Sequence, residues 1–169
     1  MKSAEILTDA FGRIREVVLE VLDGITGEDL AARLDAQTNS IGWLVWHLTR
    51  VQDDHVAAVA GIEQAWTAAG WARRFALALE LSDIGYGHDS AQVAAVTASA
   101  EDLRGYHDDV YENTIEFLSR LGEDDLDRVV DERWDPPVTL GARLVSVVAD
   151  DLQHAGQAAY LLGILQRSH

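Results

Sequence analysis

The chain has 169 residues, 48% of them hydrophobic, and it contains no cysteine, which excludes disulfides, thiolate metal ligands and a protein thiol nucleophile. Its 13 basic and 29 acidic residues give a formal net charge of -16. That charge repels a nucleic-acid backbone and an anionic membrane surface, so both are disfavoured as partners.

Apolar residues at three-and-four spacing predict long amphipathic helices over residues 3–22, 41–60, 99–121 and 140–166. Residues 62–98 have no regular pattern and are predicted to form a crossover with short helices. No segment shows the period-two alternation of a strand. We therefore expect an all-α four-helix bundle with a long crossover between its second and third helices, as a single domain over residues 1–169. The chain begins without a signal peptide and has no apolar run of about 20 residues, so we expect it in the cytoplasm.

The last predicted helix carries polar side chains within its apolar stripe. The stripe runs through Leu144 and Val147 and then meets Asp150 and His154. Their spacing places the carboxylate and the imidazole on one face, about one turn apart. A buried carboxylate is costly unless it has a partner, and a metal ion is one such partner. Taken alone, the motif is a weak signal and is more typical of a hydrogen-bonded Asp–His pair.

The second predicted helix shows a matching interruption. His47 shares a face with Trp43 and Leu44, where an ordinary core histidine would be the simplest interpretation. Inward polar residues on two helices of one bundle, however, need a common partner. We predict that His47, Asp150 and His154, here called the triad, bind a divalent metal ion. Nitrogen and oxygen ligands suit Zn, Ni, Fe or Mn, with Zn and Ni as the leading candidates, and three ligands leave a position open.

Further polar residues are candidates to support this site. Asp54 lies two turns beyond His47, and it, Asp151 or Gln157 would accept the second ring N–H of a ligating histidine. Because carboxylates are so abundant, we nevertheless interpret Asp53, Asp151 and the run from 123 to 125 as surface groups. We leave Asp54 open.

Histidines outside the triad receive separate interpretations. His55 is expected to be partly exposed and His107 to lie on a helix surface. His88 follows Gly85-Tyr86-Gly87, a turn in which glycine lets the backbone approach a ligand closely. We take His88 and Asp54 as candidates to orient a ligand or move a proton, with an ordinary turn role as the alternative for His88.

The tryptophans are candidates for pocket walls. Trp43 and Trp46 are expected in the core and at the rim of the bundle, whereas Trp66, Trp71 and Trp134 fall in or near loops. Large aromatic residues in loops often line binding sites. We predict that Trp43, Trp71 and Trp134 contact a bound cofactor or substrate; the alternative is that the loop tryptophans only cover one end of the bundle.

Two segments resemble a known family. Trp46-His47-Leu48 and Asp150-Asp151-Leu152-Gln153-His154-Ala155-Gly156-Gln157 are similar to the two signature helices of the DinB-like (YfiT-like) superfamily. Gly85-Tyr86-Gly87-His88 and Trp134-Asp135-Pro136-Pro137 resemble an actinobacterial branch of it. The resemblance covers essentially the whole chain. It implies a four-helix bundle with an atypical crossover, often dimeric, whose metal ligands fall on the triad; many members carry His or Glu at the position of Asp150.

The resemblance also implies a class of activity. Characterised relatives are thiol-dependent transferases and isomerases, in which mycothiol or bacillithiol binds the metal as thiolate and attacks an electrophile. A low-molecular-weight thiol cosubstrate, a small electrophilic substrate and a homodimer are therefore expectations. We favour a mycothiol-type S-transferase. A metal-dependent hydrolase and a non-enzymatic metal- or ligand-binding stress-response module remain alternatives that the residues do not separate.

Overall fold

The computed structural model describes residues 2–168, with the side chain of Ser168 excepted. Within that range the helices are α1 (Ser3–Leu22), α2 (Gly27–Ala31), α3 (Ile41–Ala60), α4 (Ala65–Ala68), α5 (Trp71–Phe75), α6 (Ser90–Ala95), α7 (Ala100–Ser119) and α8 (Leu140–Ser168). A 3-10 helix over Glu123–Asp127 and strands β1 (Val129–Asp131) and β2 (Val138–Thr139) lie between α7 and α8. The four long helices begin and end close to the predicted bounds.

Helices α1, α3, α7 and α8 form the bundle. Helices α1 and α3 each pack against both α7 and α8, and the short helices α4 to α6 lie in the crossover between α3 and α7. The predicted all-α bundle with a long crossover is confirmed. None of the described helices combines the length and the hydropathy needed to cross a membrane.

Helix α3 is the central element of the bundle. Its N-cap is Ser40, whose hydroxyl accepts the N–H of Trp43 at 3.1 Å, and its C-cap is Gly61, which has a left-handed φ of 69°. Every residue from 41 to 53 is buried, because α7, α8 and the crossover cover different sides of the helix. Polar side chains on α3 are therefore forced to find partners inside the protein.

A short antiparallel ladder joins β1 and β2, with Val129 opposite Thr139 and Asp131 opposite Val138. The expectation of no strand was wrong here. The two strands have three residues and two residues, which is too short for a period-two alternation to be visible in the sequence. The ladder places its turn beside the start of α8.

A buried polar network attaches the crossover to α3. Asp53, which is 3% exposed, accepts the backbone N–H groups of Ala65 and Trp66 at the start of α4 and the hydroxyl of Tyr106 at 2.8 Å. Arg50, with no exposed surface, donates to Gln64, Tyr106 and the carbonyl of Asp83. The interpretation of Asp53 as a surface carboxylate was wrong, because the crossover folds over this side of α3.

Two further expectations about polar residues were wrong. His107 is fully buried on α7, and its Nδ1–H donates to the Thr49 hydroxyl at 3.1 Å, while that hydroxyl donates to the Val45 carbonyl. Asp151 is fully buried on α8. Burial raises the pKa of Asp151 well above its ordinary value. Both residues lie on helix faces that neighbouring helices cover. The run from 123 to 125 is exposed as expected.

Candidate metal centre

Helices α3 and α8 run antiparallel and bring the triad together. His47 comes from the middle of α3, and Asp150 and His154 project from α8 one turn apart. One ligand atom of each residue lies within 4.8 Å of those of the other two. His47 Nε2 is 4.0 Å from Asp150 Oδ2, and the two imidazole rings have centroids 4.7 Å apart. The three side chains predicted from the sequence therefore converge.

The ring of His47 is held in one orientation from two sides. Its Nδ1–H donates to the main-chain carbonyl of Ile84 at 2.5 Å, and the Trp43 ring stacks on it at 4.5 Å and 15°. Only 2% of His47 is exposed. Burial lowers the pKa of His47 to about 4, so the imidazole is neutral near neutral pH. With Nδ1 used as a donor, Nε2 keeps a lone pair directed at Asp150 and His154.

Asp150 and His154 form the α8 half of the site. The Nδ1–H of His154 donates to the main-chain carbonyl of Asp150 at 2.8 Å and lies 3.3 Å from Asp150 Oδ2. Burial raises the pKa of Asp150, but the nearby imidazoles outweigh it and the net pKa is lowered. Burial lowers the pKa of His154, and Asp150 outweighs it, so the net pKa is raised.

The donor set fits a divalent cation. Asp150 Oδ2 is buried and accepts no hydrogen bond from any described residue, which is costly for a carboxylate oxygen in a protein. The Nε2 atoms of both histidines are free, because each ring uses Nδ1 on a main-chain carbonyl. Two imidazoles and one carboxylate are a ligand set found in catalytic zinc sites. Side-chain exposures of 22% for Asp150 and 18% for His154 leave one side of the site reachable from solvent.

The second ring N–H groups are not taken by the residues proposed for that role. Asp54 instead accepts a hydrogen bond from Gln64 at 2.8 Å, and Asp151 points into the core. Gln157 lines a separate cavity one turn beyond His154. The main-chain carbonyls of Ile84 and Asp150 accept these N–H groups instead. Every residue has such a carbonyl, so no residue type in the sequence marks them.

His88 lies behind Trp43 and does not reach the triad directly. Its Nδ1 accepts the indole N–H of Trp43 at 3.0 Å, and its Nε2–H donates to Asp83, whose two oxygens are each 3.0 Å away. The ring also stacks on Trp46 at 5.9 Å. Both nitrogens are therefore occupied. The geometry suits a positioning residue: Asp83 orients His88, His88 orients Trp43, and Trp43 packs on His47.

The turn before His88 contains two features that sequence reasoning did not assign. A Cβ at Gly85, which has φ of +99°, would lie 2.5 Å from His47 Nδ1, so only glycine lets the Ile84 carbonyl approach that ring. Tyr86 packs edge-on against the His47 ring at 5.2 Å and is 59% exposed at the mouth of the site. The glycines of this turn indicated in the sequence that the backbone approaches another group closely. Nothing in the sequence indicated the roles of the Ile84 carbonyl and the Tyr86 ring.

Of the three tryptophans predicted to line the site, the structure brings only Trp43 to the triad within residues 2–168. Trp71 donates its indole N–H to Asp109 at 2.7 Å and packs on Phe75 against α7. Trp134 is 64% exposed in the turn between β1 and β2. A position in a loop therefore did not indicate which aromatic residues face the site.

Comparisons with known proteins identify the family and support the fold. A family model described as mycothiol S-transferase matches residues 6–165. A crystal structure of a conserved protein from Enterococcus faecalis superposes with a TM-score of 0.89 at 30% sequence identity, covering 96% of each chain. No curated protein matches the chain. The predicted relationship to the DinB-like superfamily is confirmed, and the chain belongs to the mycothiol S-transferase family.

Proposed function

We propose that this chain is a divalent-metal-dependent S-transferase that joins the sulfur of mycothiol to an electrophilic carbon of a small molecule. The observation that carries the proposal is the convergence of His47, Asp150 and His154 within 4.8 Å, in a member of the mycothiol S-transferase family. The absence of cysteine from the chain is compatible with it, because the reacting sulfur then arrives with the cosubstrate.

The ligand atoms that we assign to the ion are His47 Nε2, His154 Nε2 and Asp150 Oδ2. A bound divalent cation supplies Lewis-acid chemistry, lowering the pKa of a thiol so that it reacts as thiolate near neutral pH. The Ile84 carbonyl and the Trp43 ring keep the lone pair of His47 directed at the site. Trp43 also forms an apolar wall that excludes water from one side of the ring.

The charge of the ligand set favours an anionic sulfur. One carboxylate and two neutral imidazoles leave one positive charge on a site that holds a divalent ion, and a thiolate neutralises that charge. In the transfer, a sulfur–carbon bond forms while the bond from that carbon to the leaving group breaks. The leaving group keeps the electron pair, and the thiol proton passes to solvent; when the electrophile is an epoxide, its oxygen takes the proton.

The test is metal analysis of the purified protein followed by a transfer assay with a fluorogenic alkylating agent. We expect one divalent ion per chain, a melting temperature that falls on chelation, and conjugate formation that requires both metal and mycothiol. Asp150→Asn keeps the side-chain shape and removes the charge, so it should lose metal and activity together. Asp9→Asn is the matched control, because Asp9 is an exposed helical carboxylate that pairs with Arg13 at the surface.

Two results would contradict the proposal. Protein that contains no metal, with a melting temperature unchanged by chelators and by added divalent ions, would remove its basis. Turnover of the electrophile in the absence of any thiol would assign the site to hydrolysis instead, with water as the nucleophile.

A further inference from the structure

A polar cleft lies in the groove between α3 and α8, beyond the triad. It has a volume of about 440 Å³, and its charged lining comes from three elements: Asp54 and His55 on α3, Asp131, Glu132 and Arg133 at the end of β1, and Arg143 on α8. The cleft is separate from the triad, none of whose residues lines it.

The cleft and the triad share the same faces of the same two helices. Asp54 follows His47 by seven residues, and Arg143 precedes Asp150 by seven residues. Seven residues are almost two helical turns, so the cleft begins about 10 Å along the groove from the triad. Burial lowers the pKa of His55 on the cleft; smaller effects come from Arg143, which lowers it, and from Asp54 and Asp150, which raise it.

Tyr86 lies against the triad at its exposed side. Its ring contacts His47, and 59% of the residue is exposed. A molecule that approaches the triad from solvent would therefore meet an exposed tyrosine ring.

The lining of the cleft favours a neutral ligand with many hydroxyl groups. Asp131 is already bonded by Arg133 at 2.8 Å and by Arg143 at 3.1 Å, whereas Glu132 accepts no hydrogen bond from a described residue. Carboxylates and guanidinium groups alternate around the cleft, so an anion or a cation would meet like charges on some side. A hydroxyl group both donates and accepts, and it can satisfy either kind of neighbour.

We propose that this cleft binds the polyhydroxylated ring system of the thiol cosubstrate, with Glu132 and Arg143 as hydrogen-bonding partners, while its sulfur lies at the triad. This inference rests on the proposed function, because it takes the cosubstrate to be a thiol linked to a sugar-like carrier. Selectivity for such a thiol over a short one then comes from the cleft, and reactivity comes from the triad.

The kinetic test compares two thiols in the metal-loaded enzyme: mycothiol, and N-acetylcysteine, which has no polyol to place in the cleft. We expect Glu132→Gln and Arg143→Gln each to lower the ratio of kcat/KM for mycothiol to that for N-acetylcysteine by about tenfold or more. Glu132 is exposed, so its variant does not threaten folding, and Asp131 keeps Arg133 as a partner when Arg143 is replaced. Arg120→Gln is the control, since Arg120 also pairs with a carboxylate, that of Glu116 on α7, but lines neither the cleft nor the triad.

A binding test separates failure of the cleft from failure of the proposed function. N-acetylglucosaminyl-inositol, a neutral, thiol-free analogue of the mycothiol carrier, is titrated into the full chain by NMR, with no catalysis required. We expect binding to wild type and to Arg120→Gln, and an affinity reduced by about tenfold or more in Glu132→Gln and Arg143→Gln. Absence of transfer with either thiol would overturn the proposed function, while this titration would still decide the cleft.

Two outcomes would overturn the cleft proposal. One is the absence of N-acetylglucosaminyl-inositol binding to wild type. The other is an unchanged selectivity ratio in both cleft variants together with a reduced ratio in Gln157→Leu, which alters the separate cavity of about 260 Å³ on the opposite side of the triad. That result would place the carrier of the thiol in the other cavity.

Discussion

Replacing Gly85 with alanine should damage the metal centre without removing any ligand. The Cβ would lie 2.5 Å from His47 Nδ1, closer than real Cβ contacts allow, and 3.2 Å from Trp43, which is tight. Gly87 is the matched comparison, because it lies in the same turn with φ of +74° and has open space around it. Because both positions have a positive φ, the difference between the two alanine variants reports mainly the contacts of the new Cβ with His47, Trp46 and Trp43.

The expected magnitudes follow from these contacts. Both variants carry a left-handed backbone penalty of about 1–2 kcal/mol. Gly85→Ala also separates the Ile84 carbonyl from His47, which costs about 1 kcal/mol for the hydrogen bond, and overpacks the site by about 1–3 kcal/mol. The total is about 3–6 kcal/mol for Gly85→Ala against about 1–2 kcal/mol for Gly87→Ala. Metal affinity should fall about 10–100-fold in the first variant only, because the ring that presents Nε2 loses its orientation.

Urea unfolding in the presence of a chelator gives the two stability changes, and competition with a chromophoric chelator gives the metal dissociation constants. Equal losses of stability in the two variants, with metal affinity unchanged in both, would refute the argument that the Gly85 backbone supports His47.

Three further substitutions test other parts of the structure. His88→Phe keeps an aromatic ring against Trp46 but leaves the Trp43 indole N–H without an acceptor. Metal affinity should therefore fall about 10–100-fold, with a loss of about 1–3 kcal/mol in the free energy of unfolding. Wild-type metal affinity in a chelator titration would contradict the positioning role of His88. Burial lowers the pKa of His107 to about 4 from its ordinary 6.5, so the unfolded chain binds more protons between these pH values and the free energy of unfolding falls as the pH drops through them. His107→Gln should reduce the loss of stability between about pH 7 and pH 5 by about 2 kcal/mol, measured by urea unfolding at each pH. An unchanged dependence of stability on pH in this variant would refute the assignment to His107. Asp53→Asn should lower the free energy of unfolding by about 3 kcal/mol, because it weakens the attachment of α4 and leaves Arg50 buried without its carboxylate. A loss below about 1 kcal/mol would show that this network is not needed to hold the crossover.

The periodic parts of the molecule could be predicted from the sequence. The long helices follow from apolar spacing, because a helix must bury one stripe whatever its neighbours are. The triad could be predicted for the same reason. His47, Asp150 and His154 occupy positions where the stripe requires aliphatic residues, and a polar group there has to find a partner inside the bundle.

The groups that orient the triad were decided by tertiary structure. The acceptor for His47 is the Ile84 carbonyl, a group that every residue has, and the link from Asp83 through His88 to Trp43 joins segments about 40 residues apart. No local pattern encodes such contacts. They arise because Gly85 lets the crossover backbone come against α3.

The burial of acidic residues was likewise predicted from the sequence only in part. In a chain with 29 carboxylates, composition favours the surface for any one of them, and the exposed run from 123 to 125 follows that expectation. Asp53 and Asp151 are buried instead. The crossover covers Asp53, and the bundle core encloses Asp151. The sequence alone determined which helices form and which polar residues interrupt their apolar stripes. Only the packing of distant segments decided which remaining polar groups lose contact with water, since burial depends on what covers a face as well as on the residues that form it.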